Sequence, residues 1–118
     1  MKLPPDQTID LLFAFAAGYS PEEFDLNMPS LQKLTGAKHV VGCSCEATIG
    51  GGLEFENEKS LSLWAACLPN SKITPLHLQF TRSGGESAIT GWPDDLTHHW
   101  PEDCCLIGLN EPFEFPVD

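Results

Sequence analysis

The run Ile9-Asp10-Leu11-Leu12-Phe13-Ala14-Phe15-Ala16-Ala17 constrains this chain more than any other stretch. It is apolar except for Asp10, and Gly18 closes it. A bilayer crossing takes about 20 apolar residues, so this run is too short to span a membrane. Its length suits a central strand buried on both faces, which reads as a continuous apolar block rather than an alternating one. A helix start follows at once. Ser20 is placed to cap it, Pro21 takes the first helical position, and Glu22 and Glu23 fill the first turn. Phe24, Leu31 and Leu34 supply apolar positions, and Gly36 stops the helix. Pro29 leaves two alternatives, a pair of short turns or a helix that restarts at Pro29. Lys38 to Cys43 reads as the second strand. Strand, helix and strand within roughly 35 residues make one right-handed βαβ unit with parallel strands.

The second strand runs into Gly42-Cys43-Ser44-Cys45-Glu46 and then into Gly50-Gly51-Gly52, with Glu54, Glu56 and Glu58 beyond. Open α/β sheets bind ligands at the carboxyl ends of their strands, and glycine lets a ligand approach backbone N–H groups. Gly42, Cys43, Ser44, Gly50, Gly51 and Gly52 are therefore candidate ligand-binding residues. Glu54 and Glu56 share a face if the segment is extended, and two carboxylates there suit an amine. A tight hairpin or bulge at the glycines, with a solvated acidic edge beside it, explains the same residues structurally. Neither the phosphate-loop nor the dinucleotide-binding glycine pattern is present.

Farther along, Ser60 to Leu68 reads as a third strand and Lys72 to Thr81 as a fourth. Pro69-Asn70-Ser71 is the turn between them. Residues 82 to 103 read as loop with one helical turn near Trp92 to Leu96. Cys104 to Leu109 reads as a last strand, followed by an extended tail at Phe113-Glu114-Phe115-Pro116. The expected fold class is α/β: a mixed sheet of about five strands with one βαβ unit and few helices, in a single domain spanning 1–118. One clear helix for such a sheet leaves a sheet face poorly covered, so the chain is expected either to be a piece of a larger domain or to associate.

The formal net charge of −11 argues against nucleic acid and anionic membrane as partners. The N-terminus lacks the apolar segment of a signal peptide, so a cytoplasmic location is expected. Five cysteines in such a chain read as reduced, buried thiols. His98-His99 and Cys104-Cys105 are adjacent doublets, whereas tetrahedral zinc sites space their ligand pairs, so no metal and no cofactor is expected. A nucleophilic role for Cys43 would need a nearby base or cation, and none adjoins it in sequence. Trp64 reads as core or edge packing. Trp92 and Trp100 flank a loop where they cover the sheet or line a pocket.

With these segments in order, the chain resembles the FIST N-terminal domain. The residues that carry the resemblance are Val41-Gly42-Cys43-Ser44, Ile49-Gly50-Gly51-Gly52, Glu54-Phe55-Glu56, Ser60 through Ala66, Leu68-Pro69 and Pro75-Leu76-His77-Leu78. Asp10 to Phe15 looks like the preceding strand, and Leu106 to Leu109 with Glu111-Pro112-Phe113 looks like the following segment. The resemblance implies a noncatalytic sensory domain for small, amino-acid-like ligands in signal transduction. Its partners would be a signalling protein or a C-terminal FIST domain. The family's domain is longer, so the chain reads as an incomplete copy. Alternatives are a protein-interaction or assembly module using an exposed sheet face, with homo-oligomers possible, and a thiol-dependent enzyme using Cys43.

Overall fold

The computed structural model describes residues 7–110, and of Thr97 only the backbone. The expected tail at 113–116 lies outside the described residues. The chain divides into two compact units, Met1–Ile73 and Thr74–Asp118. The architecture is α/β, with mixed strand directions and few helices.

In the first unit the apolar run forms β1 (Leu11–Ala17), which holds the centre of a three-stranded sheet. On one side it pairs in parallel with β2 (His39–Cys45), from Leu11 opposite His39 to Ala17 opposite Cys45. On the other side it pairs antiparallel with β5 (Ser60–Ala66), from Leu11 opposite Ala66 to Ala17 opposite Ser60. Partners across a sheet share a face. One face therefore carries Leu12, Ala14, Ala16, Val40, Gly42, Ala65, Leu63 and Leu61. The other carries Leu11, Phe13, Phe15, Val41, Cys43, Cys45, Trp64, Ser62 and Ser60. The first face is built from small residues near its centre, and the helix packs on it. Ile9, Leu12 and Ala37 form the buried cluster there, with Leu31 of the helix, Val40 and Ala65 against it.

That helix, α1 (Pro21–Thr35), is continuous through Pro29, so neither the broken nor the restarted alternative is realised. Its ends are fixed strongly enough to carry the missing donor. The Ser20 N–H donates to Glu23 Oε2 at 3.0 Å while the Glu23 N–H donates to Ser20 Oγ at 3.2 Å, a complete capping box. At the other end Gly36, at φ 67°, donates its N–H to the Gln32 carbonyl at 2.9 Å. Asp25, whose carbonyl would pair with residue 29 in an uninterrupted ladder, is exposed to water. Lys59 ties the helix to the chain entering β5. Its Nζ lies 2.7 Å from Glu23 Oε1 and 5.1 Å from the centre of the Tyr19 ring.

Between β2 and β5 the chain makes a hairpin, β3 (Ala47–Gly50) and β4 (Leu53–Glu56). It docks through side chains. Thr48 is buried and donates from Oγ1 to Ser60 Oγ at 2.8 Å, and Ser62 Oγ donates to the Ile49 carbonyl at 2.8 Å.

Past Ala66 the structure departs from the sequence reading. The turn at Pro69-Asn70-Ser71 forms, with Asn70 at φ 66° and the Ser71 N–H donating to the Leu68 carbonyl at 3.3 Å. Lys72 to Thr81 is not one strand, however: residues 71–78 carry no regular structure. Pro75 sits in the middle of that segment and removes a ladder donor. Only β6 (Gln79–Ser83) is a strand, and it belongs to the second unit, paired antiparallel with β7 (Glu86–Thr90) around Gly84-Gly85. The second strand of this hairpin lies in a segment read as loop. The helical turn expected near Trp92 to Leu96 is α2 (Asp94–His98). Cys104 to Leu109 is not a strand: those residues are irregular and exposed. Apolar residues such as Leu106 and Ile107 give strand propensity, but a strand exists only with a ladder partner.

Two features pin the first unit. At the start of β1, Asp10 joins three segments: Oδ1 lies 2.6 Å from Lys38 Nζ, and Oδ2 accepts from the Leu68 N–H at 2.6 Å. At its middle, Gly42 faces Ala14 so closely that a Cβ on residue 42 would run into the Ala14 carbonyl. Backbone cannot swing aside as a flexible side chain does. Gly42→Ala is thus expected to destabilise the fold by about 1–3 kcal/mol, read as a lower urea midpoint. The Lys38 ammonium and then the Leu68 N–H hold the Asp10 carboxyl below its ordinary range. A lowered folded-state value stabilises above the ordinary carboxylate range and loses that stabilisation as pH falls through the lowered value. Thermal unfolding followed from neutral to acid pH is expected to show this loss. Asp10→Asn should lower the midpoint at neutral pH and shrink its acid dependence, leaving the part due to Glu23, which Lys59 lowers similarly.

Candidate functional site

The eight residues read as a ligand edge fall into two groups carried on different sides of the sheet. Gly42, Cys43 and Ser44 lie within β2, one outer strand, opposite Ala14, Phe15 and Ala16 of β1. Gly50, Gly51, Gly52, Glu54 and Glu56 belong to the β3–β4 hairpin, which hydrogen-bonds to β5, the opposite outer strand. Within the first group, neighbouring side chains alternate between faces: Cys43 lies on the Phe13 and Trp64 face, whereas Gly42 and Ser44 lie on the helix-covered face.

Of the two readings of the glycines, the hairpin is the one built. Gly51 and Gly52 are the two loop residues between Gly50 and Leu53, at φ 60° and 79°. Two positive φ values in a two-residue loop match the twist of the flanking strands. Gly50 lies over Ser62, whose hydroxyl would sit 3.1 Å from a Cβ there. In β4, Glu54 and Glu56 share the outward face with Ile49 and Ala47, and both glutamates are exposed.

Cys43, Cys45 and Cys67 are free and half-buried, whereas Cys104 and Cys105 are free and exposed, so the expectation of buried thiols fails for the last pair. Burial, and then the neighbouring Cys43, push the Cys45 thiol above its ordinary range, which lowers its thiolate fraction at neutral pH. Trp64 combines packing and exposure. Its ring sits 5.6 Å from that of Phe13, yet the residue is 56% exposed. In the second unit Trp92 and Trp100 meet edge-on at 6.3 Å. His77, within the segment read as the fourth strand, lies exposed in the irregular stretch before β6. Among the described residues, no group of three or more His, Cys, Asp or Glu side chains is arranged to hold a metal ion.

A site missed in the sequence lies between α1 and the sheet. It is a groove of about 210 Å³ lined chiefly by Phe24, Met28, Leu31 and Leu34 of the helix and by Ala16 and Leu61 below, with Tyr19 and Asn27 as polar members. In its C-terminal half the helix packs on the sheet's buried cluster through Leu31. None of its residues is fully buried, and Leu26 and Leu34 are 76% and 85% exposed. Phe24, Leu31 and Leu34 are legible in the sequence as apolar positions of the helix, but nothing local shows that they leave a groove open.

An uncharacterized protein of Mycobacterium tuberculosis (strain H37Rv) is 32% identical to this chain over 111 residues, a match covering 94% of this chain and 23% of the relative. An uncharacterized protein of Mycobacterium bovis is 28% identical over 121 residues, covering 86% of this chain and 30% of the relative. The chain thus spans less than a third of the length of these curated relatives. No protein-family profile matches the chain, and no solved structure matches it. Among the described residues, no helix is long and apolar enough to cross a membrane.

The hairpin geometry sets the same demand, a left-handed backbone, on both of its loop residues. Asparagine tolerates the left-handed region, so Gly51→Asn is expected to change stability little. A β-branched residue does not, so Gly52→Val is expected to cost about 1–2 kcal/mol by chemical denaturation.

Proposed function

We propose that this chain is a noncatalytic interaction or assembly module that associates through apolar side chains left exposed by α1 and β5. The observation that carries this reading is the helix itself. It is capped at both ends and continuous, yet it buries no residue fully and leaves Leu26 and Leu34 largely in water. On β5, Leu61 and Leu63, which lie on the helix-covered face, are also exposed. Helices of this kind are held in place by the face they bury, and exposed contiguous apolar surface marks an interaction site. The curated relatives are consistent with such a role, since most of their length lies outside the match.

A second reading is small-ligand sensing, as the resemblance to the FIST N-terminal domain implies. The groove under α1 favours it: apolar walls with Tyr19 and Asn27 at hand are the usual make-up of a small-molecule site. At about 210 Å³ it lies below the usual range of about 300–1,000 Å³ for drug-sized ligands and suits an amino-acid-sized molecule. On this reading the ligand seats against the helix, away from the glycines of the hairpin. The signalling partner, the C-terminal FIST domain and the cytoplasmic setting belong to the same proposal.

Light scattering across protein concentration separates the two readings. Association predicts a molar mass that rises with concentration, and rises further with salt, because screening relieves repulsion between copies of charge −11. Leu26→Glu with Leu34→Glu should abolish that rise without lowering the melting temperature, since neither side chain is in the core. A strict monomer at every concentration and salt would overturn self-association. If its melting temperature rises with one amino-acid-like metabolite and Leu31→Trp in the groove removes the effect, the sensing reading stands instead.

A further inference from the structure

We infer that Cys104 and Cys105 form a vicinal dithiol site that reacts with low-molecular-weight disulfides and closes to a reversible Cys104–Cys105 disulfide. Both residues are free and exposed, while the other three cysteines are half-buried. Thiol–disulfide exchange requires access to the attacking sulfur, and only this pair has it on both members.

Backbone conformation decides whether adjacent cysteines can meet. In a strand, Cys104 and Cys105 would point to opposite faces, and the ladder would hold them apart. Residues 104 and 105 belong to no strand or helix, so no regular ladder has to break for the side chains to turn toward each other. The polar contact shown for this pair is weak: Cys105 Sγ lies 3.9 Å from the Leu106 carbonyl. By contrast, Cys43 and Cys45 are fixed two residues apart on one face of β2, in register with Phe15 and Ala17. Their Cα atoms are held about 6.6 Å apart by the strand rise, near the upper limit for a disulfide, with side chains projecting in parallel.

The chemistry balances with the disulfide as oxidant. The thiolate of one cysteine attacks a sulfur of the small disulfide, whose S–S bond breaks and releases one thiolate. The neighbouring cysteine, as thiolate, then attacks the protein sulfur of the mixed disulfide and releases the second. Two protein thiols are oxidised, the small disulfide is reduced to two thiols, and the two cysteine protons end on those thiols. Adjacent Cα atoms lie about 3.8 Å apart, below the usual disulfide span of about 4.4–6.8 Å. The bond formed is therefore strained and readily reduced, the property of a responsive rather than a structural disulfide.

The test treats the full chain with glutathione disulfide, blocks remaining thiols, and maps peptides by mass spectrometry. The expected result is a peptide carrying residues 104 and 105 that has lost two hydrogens, restored by dithiothreitol, with Cys43, Cys45 and Cys67 still alkylated. Cys104→Ser and Cys105→Ser should each stop at the mixed disulfide on the remaining cysteine, with unchanged melting temperature. A glutathione adduct that persists on the wild-type pair, a crosslink between two chains, or no reaction at these residues would each overturn the inference.

Discussion

A strand buried on both faces must find hydrogen-bond partners on both edges, and β1 is such a strand. Leu12, Ala14 and Ala17 have no measurable exposure, so their N–H and C=O groups have no water to turn to. The chain supplies β2 on one edge by a parallel crossover and β5 on the other by an antiparallel return. The crossover needs a helix, and the helix needs a flat sheet face to approach. Ala14, Ala16, Gly42 and Ala65 provide that face. The same smallness brings β2 so close at Gly42 that no side chain fits there. One requirement therefore links the composition of three strands and the position of α1.

Parts of this were legible from residues alone because the signals were local and redundant. The block Leu11 to Ala17 had no other plausible use, and Ser20, Pro21, Glu23 and Gly36 each marked a helix end by a separate mechanism. Pro29 was ambiguous because a proline interior to a helix weighs against it, yet two well-made caps and an exposed Asp25 outweigh one lost bond. The failures share a cause. A strand is a pairing, and pairing is not local. Lys72 to Leu78 and Cys104 to Leu109 have strand-like composition without a partner strand, whereas Glu86 to Thr90 has a poor composition and gains a partner through Gly84-Gly85.

The glycine stretch is ambiguous in sequence for a related reason. Gly50, Gly51 and Gly52 satisfy both a ligand loop and a hairpin, and only the pairing of Ile49 with Glu54 distinguishes them. Once the hairpin forms, it is seated by Thr48, Ser60 and Ser62, polar residues that carried no functional weight in the sequence. The groove under α1 is not local either. Phe24 and Leu34 are legible as apolar positions of the helix, but that they wall an open groove with Met28 depends on how far the helix stands off the sheet.

Charge and apolar exposure act against each other on this surface. A formal charge of −11 opposes the approach of copies at low salt, while Leu26, Leu34, Leu61 and Leu63 favour contact at short range. Repulsion between like-charged surfaces extends over about one Debye length, roughly 8 Å at physiological salt, whereas apolar contact acts only once water is expelled. On the proposed interaction reading, such a surface would disfavour acidic partners at a distance and reward an apolar face whose rim is neutral or basic. The helix suits such a role because Leu31 and two capped ends hold it on the sheet while Leu26 and Leu34 stay exposed. Contact with a partner would then complete the packing that the sheet alone leaves unfinished.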